Sequence, residues 1–282
     1  AQFSRPMVPV GSLSDLQKWP VPLVVRPALK ATPRWLGTQT VVLETKSRAP
    51  FSTMYTAEVP AGTKSADGQT LGEAKQWTFE TPRLRIQWRL PTGNQVRPET
   101  AVAITFNQDI DADKVAAKLQ LRRGGDLIKL ALVPQKAWKT LPKLATRLAG
   151  ANAKRTVVLR PRKLLPRDTS FTMILPIGSY SAEGPLPTKK IQTWGFSTYP
   201  KLKIQRAWCE WRDKRKSCRE GNPVSVRTST QVASDQDLAN LVDVSPKPAD
   251  LQIRASGRGL NITGGFEASR SYTVTISAKL RD

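Results

Sequence analysis

Residues 61–86 read AGTKSADGQTLGEAKQWTFETPRLRI, and residues 177–204 read IGSYSAEGPLPTKKIQTWGFSTYPKLKI. Both stretches contain a Ser-Ala-acid-Gly turn followed by an aromatic strand of the form Trp-x-Phe-x-Thr, which begins at Trp77 in the first copy and Trp194 in the second. An internal repeat of this period indicates a string of similar domains, not one large enzyme fold.

The match continues upstream at a constant offset of 116 residues. It pairs Val41 with Val157, Leu43 with Leu159, Pro50 with Pro166, Tyr55 with Phe171 and Gly62 with Gly178. A weaker third copy follows, in which residues 272–276 match residues 55–59. These alignments predict three domains, at residues 1–82, 83–198 and 199–282, which we call the first, second and third repeats.

The two outer repeats are shorter than the middle one. The first begins at Phe3 without the strand that precedes Phe106 in the second, and the third stops before any counterpart of residues 77–81. We therefore expect the first repeat to be truncated at its N-terminal side and the third at its C-terminal side. Both ends are expected to be cut from a longer protein.

Short apolar runs predict the fold class. Turn signals recur about every ten residues and several runs alternate apolar with polar positions, a pattern typical of antiparallel β-sandwiches. Short helices are expected after the first strand of each repeat, at residues 12–18, 111–119 and 234–241. No helix is long enough for a parallel crossover. The sequence thus predicts an all-β chain of tandem antiparallel, Ig-like sandwiches.

The charge of the chain is strongly basic, with 45 Lys and Arg against 22 Asp and Glu. It is concentrated between Lys114 and Arg167, where Asp126 is the one acidic residue. Such a surface either contacts an anionic partner, such as a cell-envelope surface, or is simply solvated. The sequence contains no pattern typical of nucleic-acid-binding folds, so a nucleic acid is not an expected partner.

An insertion at residues 134–150 of the second repeat shows helical spacing of apolar residues. Its other side is basic and comprises Lys136, Lys139, Lys143 and Arg147. A basic amphipathic helix can bind an anionic partner or membrane surface through such residues. It can equally cover the open face of its own sheet and leave the basic side chains in water. Pro142 interrupts the helical pattern under either interpretation.

Catalytic and metal-binding motifs are missing from the sequence. It contains no histidine, which removes the commonest general base and the commonest transition-metal ligand. Asp109, Asp111 and Asp113 alternate, but the glycine and distant glutamate of a calcium loop do not follow, so Asp111 is interpreted as a helix cap. No enzyme activity, metal or cofactor is expected. No apolar run reaches the length of a membrane span.

The two cysteines, Cys209 and Cys218, enclose a polar, charged segment. Two strand ends joined by a polar turn would hold the sulfurs at disulfide distance, and such a loop stabilises by about 2.5–3 kcal/mol. A metal site is the alternative, but two thiols without histidine supply only half a zinc shell. We therefore predict a disulfide, and with it an oxidising compartment.

Three tryptophans are expected to be core residues. They are Trp35, Trp77 and Trp194.

Taken together, these residues resemble the N-terminal part of a bacterial alpha-2-macroglobulin. The resemblance covers nearly the whole chain and is carried by FSRPM at residues 3–7, YTAEVPAGT at 55–63, SADGQTL at 65–71, FETP at 79–82 and FSTYP at 196–200. It implies macroglobulin-like β-sandwich domains that precede a bait region and a thioester domain. The strand-turn-strand pattern also occurs in bacterial Ig-like repeats, so it specifies the fold better than the function.

The resemblance further implies that full-length members trap proteases when these cleave the bait, and that many bond the protease through a Cys-x-Glu-Gln thioester. Neither Cys209-Glu210-Trp211 nor Cys218-Arg219-Glu220-Gly221 matches that motif, and no bait-like linker is visible. The chain is therefore expected to be non-catalytic scaffold. Its expected location is periplasmic or otherwise extracytoplasmic, with an N-terminal anchor outside this chain as one option. The alternative is an Ig-like array of a secreted adhesion or structural protein.

Overall fold

The computed structural model describes residues 1–141, 144–209 and 220–282. The chain divides into two compact units. One comprises Ala1–Thr92, Thr100–Lys163 and Phe171–Gly195, and the other comprises Gly93–Glu99, Leu164–Ser170 and Phe196–Asp282. The described elements are mostly strands in antiparallel sheets, which confirms the predicted all-β fold class. The division into three domains stays a prediction.

The first repeat contains one short helix and five strands. These are β1 (Val24–Arg26), β2 (Ala31–Leu36), β3 (Thr40–Thr45), β4 (Met54–Val59), β5 (Lys75–Glu80) and α1 (Leu13–Leu16). One sheet has the order β1-β4-β5 and the other consists of β2 and β3. An isolated antiparallel bridge between Gln2 and Thr40 adds the start of the chain to β3.

The second repeat has nine strands. They are β6 (Ile86–Leu90), β7 (Gly93–Val96), β8 (Val102–Phe106), β9 (Gln120–Arg123), β10 (Asp126–Ile128), β11 (Leu130–Leu132), β12 (Thr156–Pro161), β13 (Ser170–Leu175) and β14 (Gln192–Thr198). Their sheets have the orders β11-β12-β8-β6 and β10-β9-β13-β14-β7. The pairings of β9 with β10 and β13, of β8 with β6 and β12, and of β11 with β12 are antiparallel, whereas β7 runs parallel to β14.

Four helical segments accompany those strands. They are α2 (Ala112–Lys118), α3 (Ala145–Leu148) and the 3-10 helices Gln135–Thr140 and Ala153–Arg155. The predicted cap of α2 is confirmed, because the Asp111 side chain accepts a hydrogen bond from the Lys114 N–H. Strands β9 and β10 form a hairpin around Gly124, whose φ of 55° suits glycine.

The described part of the third repeat, residues 199–209 and 220–282, again forms two sheets. Its strands are β15 (Ile204–Trp208), β16 (Val224–Thr228), β17 (Val242–Ser245), β18 (Ala249–Ala255), β19 (Gly259–Gly265) and β20 (Thr273–Ile276), with a 3-10 helix at Leu238–Asn240. One sheet has the order β15-β16-β19-β18, and β17 pairs with β20. The predicted helix at residues 234–241 is thus a single 3-10 turn, which the Asp237 side chain caps at the Ala239 N–H.

The repeat seen in the sequence recurs in the geometry. Strands β12 and β13 begin and end 116 residues after β3 and β4, respectively. At the end of β5 the Thr81 hydroxyl donates to the Pro50 carbonyl at 2.8 Å, and the Thr198 hydroxyl donates to the Pro166 carbonyl at 2.7 Å in the second copy. Both copies therefore close their last strand with the same side-chain hydrogen bond.

The largest fully buried side chains lie mainly in the second repeat. In β8, Val102, Ala103 and Ile104 are inaccessible to solvent, and in β13 both Met173 and Leu175 are as well. Burial of this many branched and long apolar side chains supplies most of the favourable free energy of a sandwich. The second repeat therefore carries the most extensive core of the described chain.

Of the three tryptophans expected in the core, two are buried. Trp35 is 1% exposed and Trp194 is 6% exposed. The prediction for Trp77 is wrong: its side chain is 41% exposed, and every residue of β5 is exposed. Trp77 lies on an edge strand that is paired on one side only within the described chain, and residues of an edge strand are more accessible to solvent than those of a central strand.

Candidate functional site

The most extensively connected polar site lies where residues of the first repeat meet residues of the second. We call it the joint and define it as the contacts of residues 48–53 and 80–86 with residues 107–109 and 183–192. All of these residues belong to the same compact unit. Its centre is the Glu183 carboxylate, whose side chain is only 11% exposed.

Glu183 accepts four hydrogen bonds. The Arg48 guanidinium donates two, at 2.7 and 3.0 Å, in the bidentate arrangement that suits a carboxylate. The Phe51 N–H donates at 3.1 Å and the Asp109 N–H at 2.8 Å. One side chain of the second repeat therefore binds one segment of the first, at Arg48 and Phe51, and also fixes the turn before α2.

Two opposing effects act on the pKa of Glu183. Burial raises the pKa of this carboxyl, because a charge is costly where water is excluded. The Arg48 guanidinium and the two backbone N–H groups lower it by more, and the result is a pKa of about 2 against an ordinary value of 4.5. The carboxylate is therefore ionised at every pH above the strongly acidic range.

The residue after Glu183 is packed against backbone. A Cβ atom built on Gly184 would lie 2.4 Å from the Phe51 carbonyl oxygen and 2.5 Å from that of Ser52. The Leu186 N–H donates to the same Ser52 carbonyl at 2.8 Å. Only glycine permits this approach, so a residue with a Cβ at position 184 would displace the backbone of residues 51–52.

A buried hydrogen bond adds to the joint. The Ser52 hydroxyl donates to the Gln108 Oε1 at 2.9 Å, and both side chains are completely buried. The Gln108 amide donates in turn to the Pro82 carbonyl at 3.3 Å. Buried polar groups are costly when unpaired, so this pairing favours one arrangement of the two segments over others.

The far side of the joint is held by longer side chains. Arg83 donates to the Pro187 carbonyl at 2.6 Å and pairs with Glu80, which Lys189 also contacts at 3.3 Å. Gln192 bridges the chain exit, since its Oε1 accepts from the Ile86 N–H and its amide donates to the Leu84 carbonyl. The link between the repeats is therefore stabilised from several sides.

The carboxylates of the joint are all paired with basic side chains. Glu183 pairs with Arg48, Glu80 with Arg83 and Lys189, and Asp109 with Arg155. Together with the backbone hydrogen bonds, these pairs connect residues of the first repeat to residues of the second.

The contacts of the joint were not predicted from the sequence. One signal was present: Glu183 occupies the place that Asp67 has in the first copy of the turn, where Asp67 pairs with Arg5 at 2.8 Å. The acidic residue of the repeated turn binds an arginine in both copies. In the first copy the arginine lies earlier in the same repeat, whereas Arg48 belongs to the preceding repeat.

The basic insertion packs against its own sheet. Its buried side chains are Trp138, Leu141, Leu144 and Leu148, which form one cluster with Ala101, Ala103 and Val158 of the sheet. The Trp138 Nε1 donates to the Val133 carbonyl at 3.1 Å. The apolar side of the insertion therefore packs within its own repeat.

The basic side of the insertion faces water. Lys136 and Lys139 lie on the 3-10 helix and Arg147 on α3, and all three are exposed. No carboxylate of the described chain pairs with any of them. Lys143 lies outside the described residues. The contact of these residues with an anionic partner stays a prediction.

The structure leaves the predicted disulfide untested. Cys218 lies outside the described residues, so the Cys209–Cys218 bridge stays a prediction. Within residues 1–141, 144–209 and 220–282 there is no cluster of three metal-ligating acids or cysteines. In the same ranges no helix has the length and apolar character needed to cross a bilayer.

Comparisons with known proteins give one informative match. No protein-family model matches the chain. A protein of Nostoc sp. (strain PCC 7120) described as "Alpha-2-macroglobulin homolog" is 24% identical over 308 residues, covering 100% of this chain and 16% of that protein. The chain thus spans about a sixth of the length of the curated relative it matches.

Among solved structures, the extracellular region of Plexin A4 is similar over 71% of this chain and 17% of its own length. The TM-score is 0.25 and the identity 13%, and a likeness at that level supports no argument about this chain. The fold assignment therefore rests on the strands themselves. The similarity to the alpha-2-macroglobulin homolog extends over the whole chain at 24% identity.

Proposed function

We propose that the chain is a non-catalytic scaffold section of an alpha-2-macroglobulin-like inhibitor that traps proteases. The bait and thioester regions of such an inhibitor would lie outside these 282 residues. The sequence similarity to the Nostoc homolog extends over the whole chain, which supports the family rather than a shared local motif.

The joint is the observation that carries the proposal. A protein that encloses a protease must transmit a local cleavage into a movement of whole domains, and this requires domains that do not bend at every link. Glu183 and the Ser52–Gln108 pair provide such a link between the first and second repeats. In this role the chain transmits the movement of domains and forms part of the enclosure around the protease. The cleavage and bonding chemistry belongs to other parts of the protein.

The partners follow from this role. Proteases would be engaged by the full-length protein, and the repeats described above would contact neighbouring domains of the same polypeptide. We place the protein outside the cytoplasm, in the periplasm or an equivalent compartment, since a Cys209–Cys218 disulfide would persist there. The solvent-facing basic side chains of the insertion would favour an anionic envelope surface.

The test uses the full-length product of the gene that encodes this chain, incubated with an equimolar protease. A trapped protease should lose activity on a protein substrate such as casein and keep its activity on a small chromogenic peptide, because only large substrates are excluded. The 282-residue chain alone should leave both activities unchanged and form no high-mass adduct on a denaturing gel.

Two outcomes would contradict the proposal. If the full-length product left casein cleavage unaffected, the alternative of an Ig-like structural or adhesion array would replace the inhibitor. If the 282-residue chain alone captured the protease, the assignment of scaffold to this section would be wrong.

A further inference from the structure

The sheet beneath the basic insertion carries exposed cations of its own. In β12 the side chains alternate between the two faces, so Arg160 lies on the same face as Val158, which packs against the insertion. Arg160 is exposed, and the residue opposite it in β11 is Ala131. The guanidinium of Arg160 is therefore open to water on the side of the sheet that the insertion covers in part.

Two further cations extend this row beyond the end of β12. The Arg162 N–H donates to the Lys129 carbonyl at 3.0 Å, which continues the pairing of Pro161 with Leu130 by one residue. Residues directly opposite each other in an antiparallel pair have their side chains on one face, so Arg162 and Lys129 lie on the face of Arg160. Both are exposed, and the sheet thus presents a row of exposed cations beside the insertion.

The sheet and the insertion together form one surface, which we call the basic face. All of its residues belong to the same compact unit. In the described chain no carboxylate forms an ion pair with any of them, whereas Arg48 and Arg83 of the joint each have one. The basic face comprises Lys129, Arg160 and Arg162 of the sheet and Lys136, Lys139 and Arg147 of the insertion.

The charges of the basic face produce an electrostatic field of one sign. Where acidic and basic residues alternate, such a field cancels, but residues 127–167 contain no aspartate or glutamate that could cancel it. A field of one sign attracts anionic partners and steers them to the surface. The fold therefore leaves this charge available for a partner.

The other side chains of the basic face limit the kind of partner. The apolar residues of the insertion are buried, with Trp138 at 7% exposed and Leu148 at 4%. Among the described residues, the face therefore offers no apolar centre for a protein–protein interface, from which lysine is also depleted, and no exposed ring on which bases could stack. It also offers no apolar side that could enter a bilayer. A surface whose accessible groups are cations matches a hydrated layer of phosphate head groups.

We propose that the basic face docks on the head groups of an anionic phospholipid bilayer, peripherally and without insertion. Phosphate oxygens accept charge-assisted hydrogen bonds from ammonium and guanidinium groups, and a guanidinium such as that of Arg160 can bind two of these oxygens at once. The inference rests on the anionic envelope surface named in the proposed function, and it does not require that the protein traps proteases.

The test measures binding of the 282-residue chain to sucrose-loaded vesicles by sedimentation. One set of vesicles contains equal parts of phosphatidylglycerol and phosphatidylcholine, and the other contains phosphatidylcholine alone. We expect binding to the anionic vesicles to be about tenfold stronger or more, and to be lost when NaCl rises from about 0.1 M to about 0.5 M, because salt screens charges beyond roughly 10 Å or less. Equal binding to both sets of vesicles would overturn the proposal.

Glutamine variants separate the basic face from the net charge of the chain. One variant neutralises the three cations of the sheet and another the three of the insertion, whereas the control neutralises Lys30, Lys46 and Lys75, which are exposed in the first repeat. Each basic residue at a membrane surface contributes roughly fivefold to binding, so either variant of the basic face should bind about tenfold more weakly or worse, and the control should change binding by less than about threefold. An equal loss in the control, or a loss confined to the insertion variant, would overturn the assignment.

Lysine acetylation of the native chain gives a reading that does not depend on how the variants fold. With anionic vesicles present, a water-soluble acetylating reagent should modify Lys129, Lys136 and Lys139 several-fold more slowly, while Lys30 and Lys46 keep their reactivity. If duplex DNA protects these lysines and anionic vesicles do not, the partner is a nucleic acid and the proposal is wrong. The casein assay contains no membrane, so a full-length product that traps proteases, combined with a chain that ignores vesicles, would exclude this inference alone.

Discussion

Replacing Glu183 with glutamine removes a charge from the joint and keeps the shape of the side chain. The pKa of this carboxyl falls from 4.5 to about 2, which corresponds to about 3 kcal/mol of preference for the ionised form in the folded state. Arg48 is 42% exposed, so water screens part of that interaction. We expect Glu183→Gln to lower the free energy of unfolding by about 2 kcal/mol at pH 7.

The pH dependence of this loss distinguishes the joint from an ordinary packing defect. A carboxyl whose pKa is lowered by folding stabilises the folded state above its unfolded value of 4.5, and the contribution disappears as the pH falls toward 2. The difference between the native chain and Glu183→Gln should therefore be largest at pH 7 and fall to less than half at pH 3.

Differential scanning calorimetry measures both quantities. A loss of about 2 kcal/mol in a unit of this size lowers Tm by about 4–8 °C at pH 7. Glu58→Gln is the matched control, because Glu58 has one contact to Arg26 at 3.2 Å and Arg26 is 70% exposed. It should change Tm by less than about 3 °C. Equal losses at pH 3 and pH 7, or a loss no larger than that of the control, would refute the reasoning.

Three further predictions follow from the fold. Gly184→Ala should destabilise the joint by more than about 2 kcal/mol, while Gly72→Ala, which has open space around it, should be nearly neutral by the same calorimetry. Alkylation of the oxidised, denatured chain should leave Cys209 and Cys218 unmodified; labelling of both would exclude the bridge. Hydrogen exchange should be slowest in β8, β12 and β13, and strands of another repeat that outlast these would contradict the assigned domain boundaries.

Patterns within a few neighbouring residues predict strands and a helix cap that the structure contains. Tyr55 and Phe171 begin the same alternation and both are buried in their strands, since period-two patterning needs only neighbouring residues. The Asp111 cap depends on a hydrogen bond to the N–H three residues on, which a short window of sequence contains. Such features are predictable because the sequence distance between their parts is short.

The joint and the exposure of Trp77 depend on distant parts of the chain. Arg48 and Glu183 are 135 residues apart, and no spacing rule connects an arginine of one repeat with a glutamate of the next. Trp77 carries the same pattern as Trp194, so its sequence predicts a buried strand. The two strands differ in their neighbours, since β14 pairs with β7 whereas β5 pairs with β4 alone in the described chain, and a local pattern does not contain this difference.

We expect the joint to make the first and second repeats move as one body. Spin labels at two exposed positions, Glu73 in the first repeat and Arg160 in the second, would report the distance between the repeats by pulsed electron resonance. We predict one narrow distance distribution for the native chain and a clearly broader one for Glu183→Ala, which leaves Arg48 and two backbone N–H groups without their acceptor. A broad distribution in the native chain, or one that Glu183→Ala leaves unchanged, would contradict the claim.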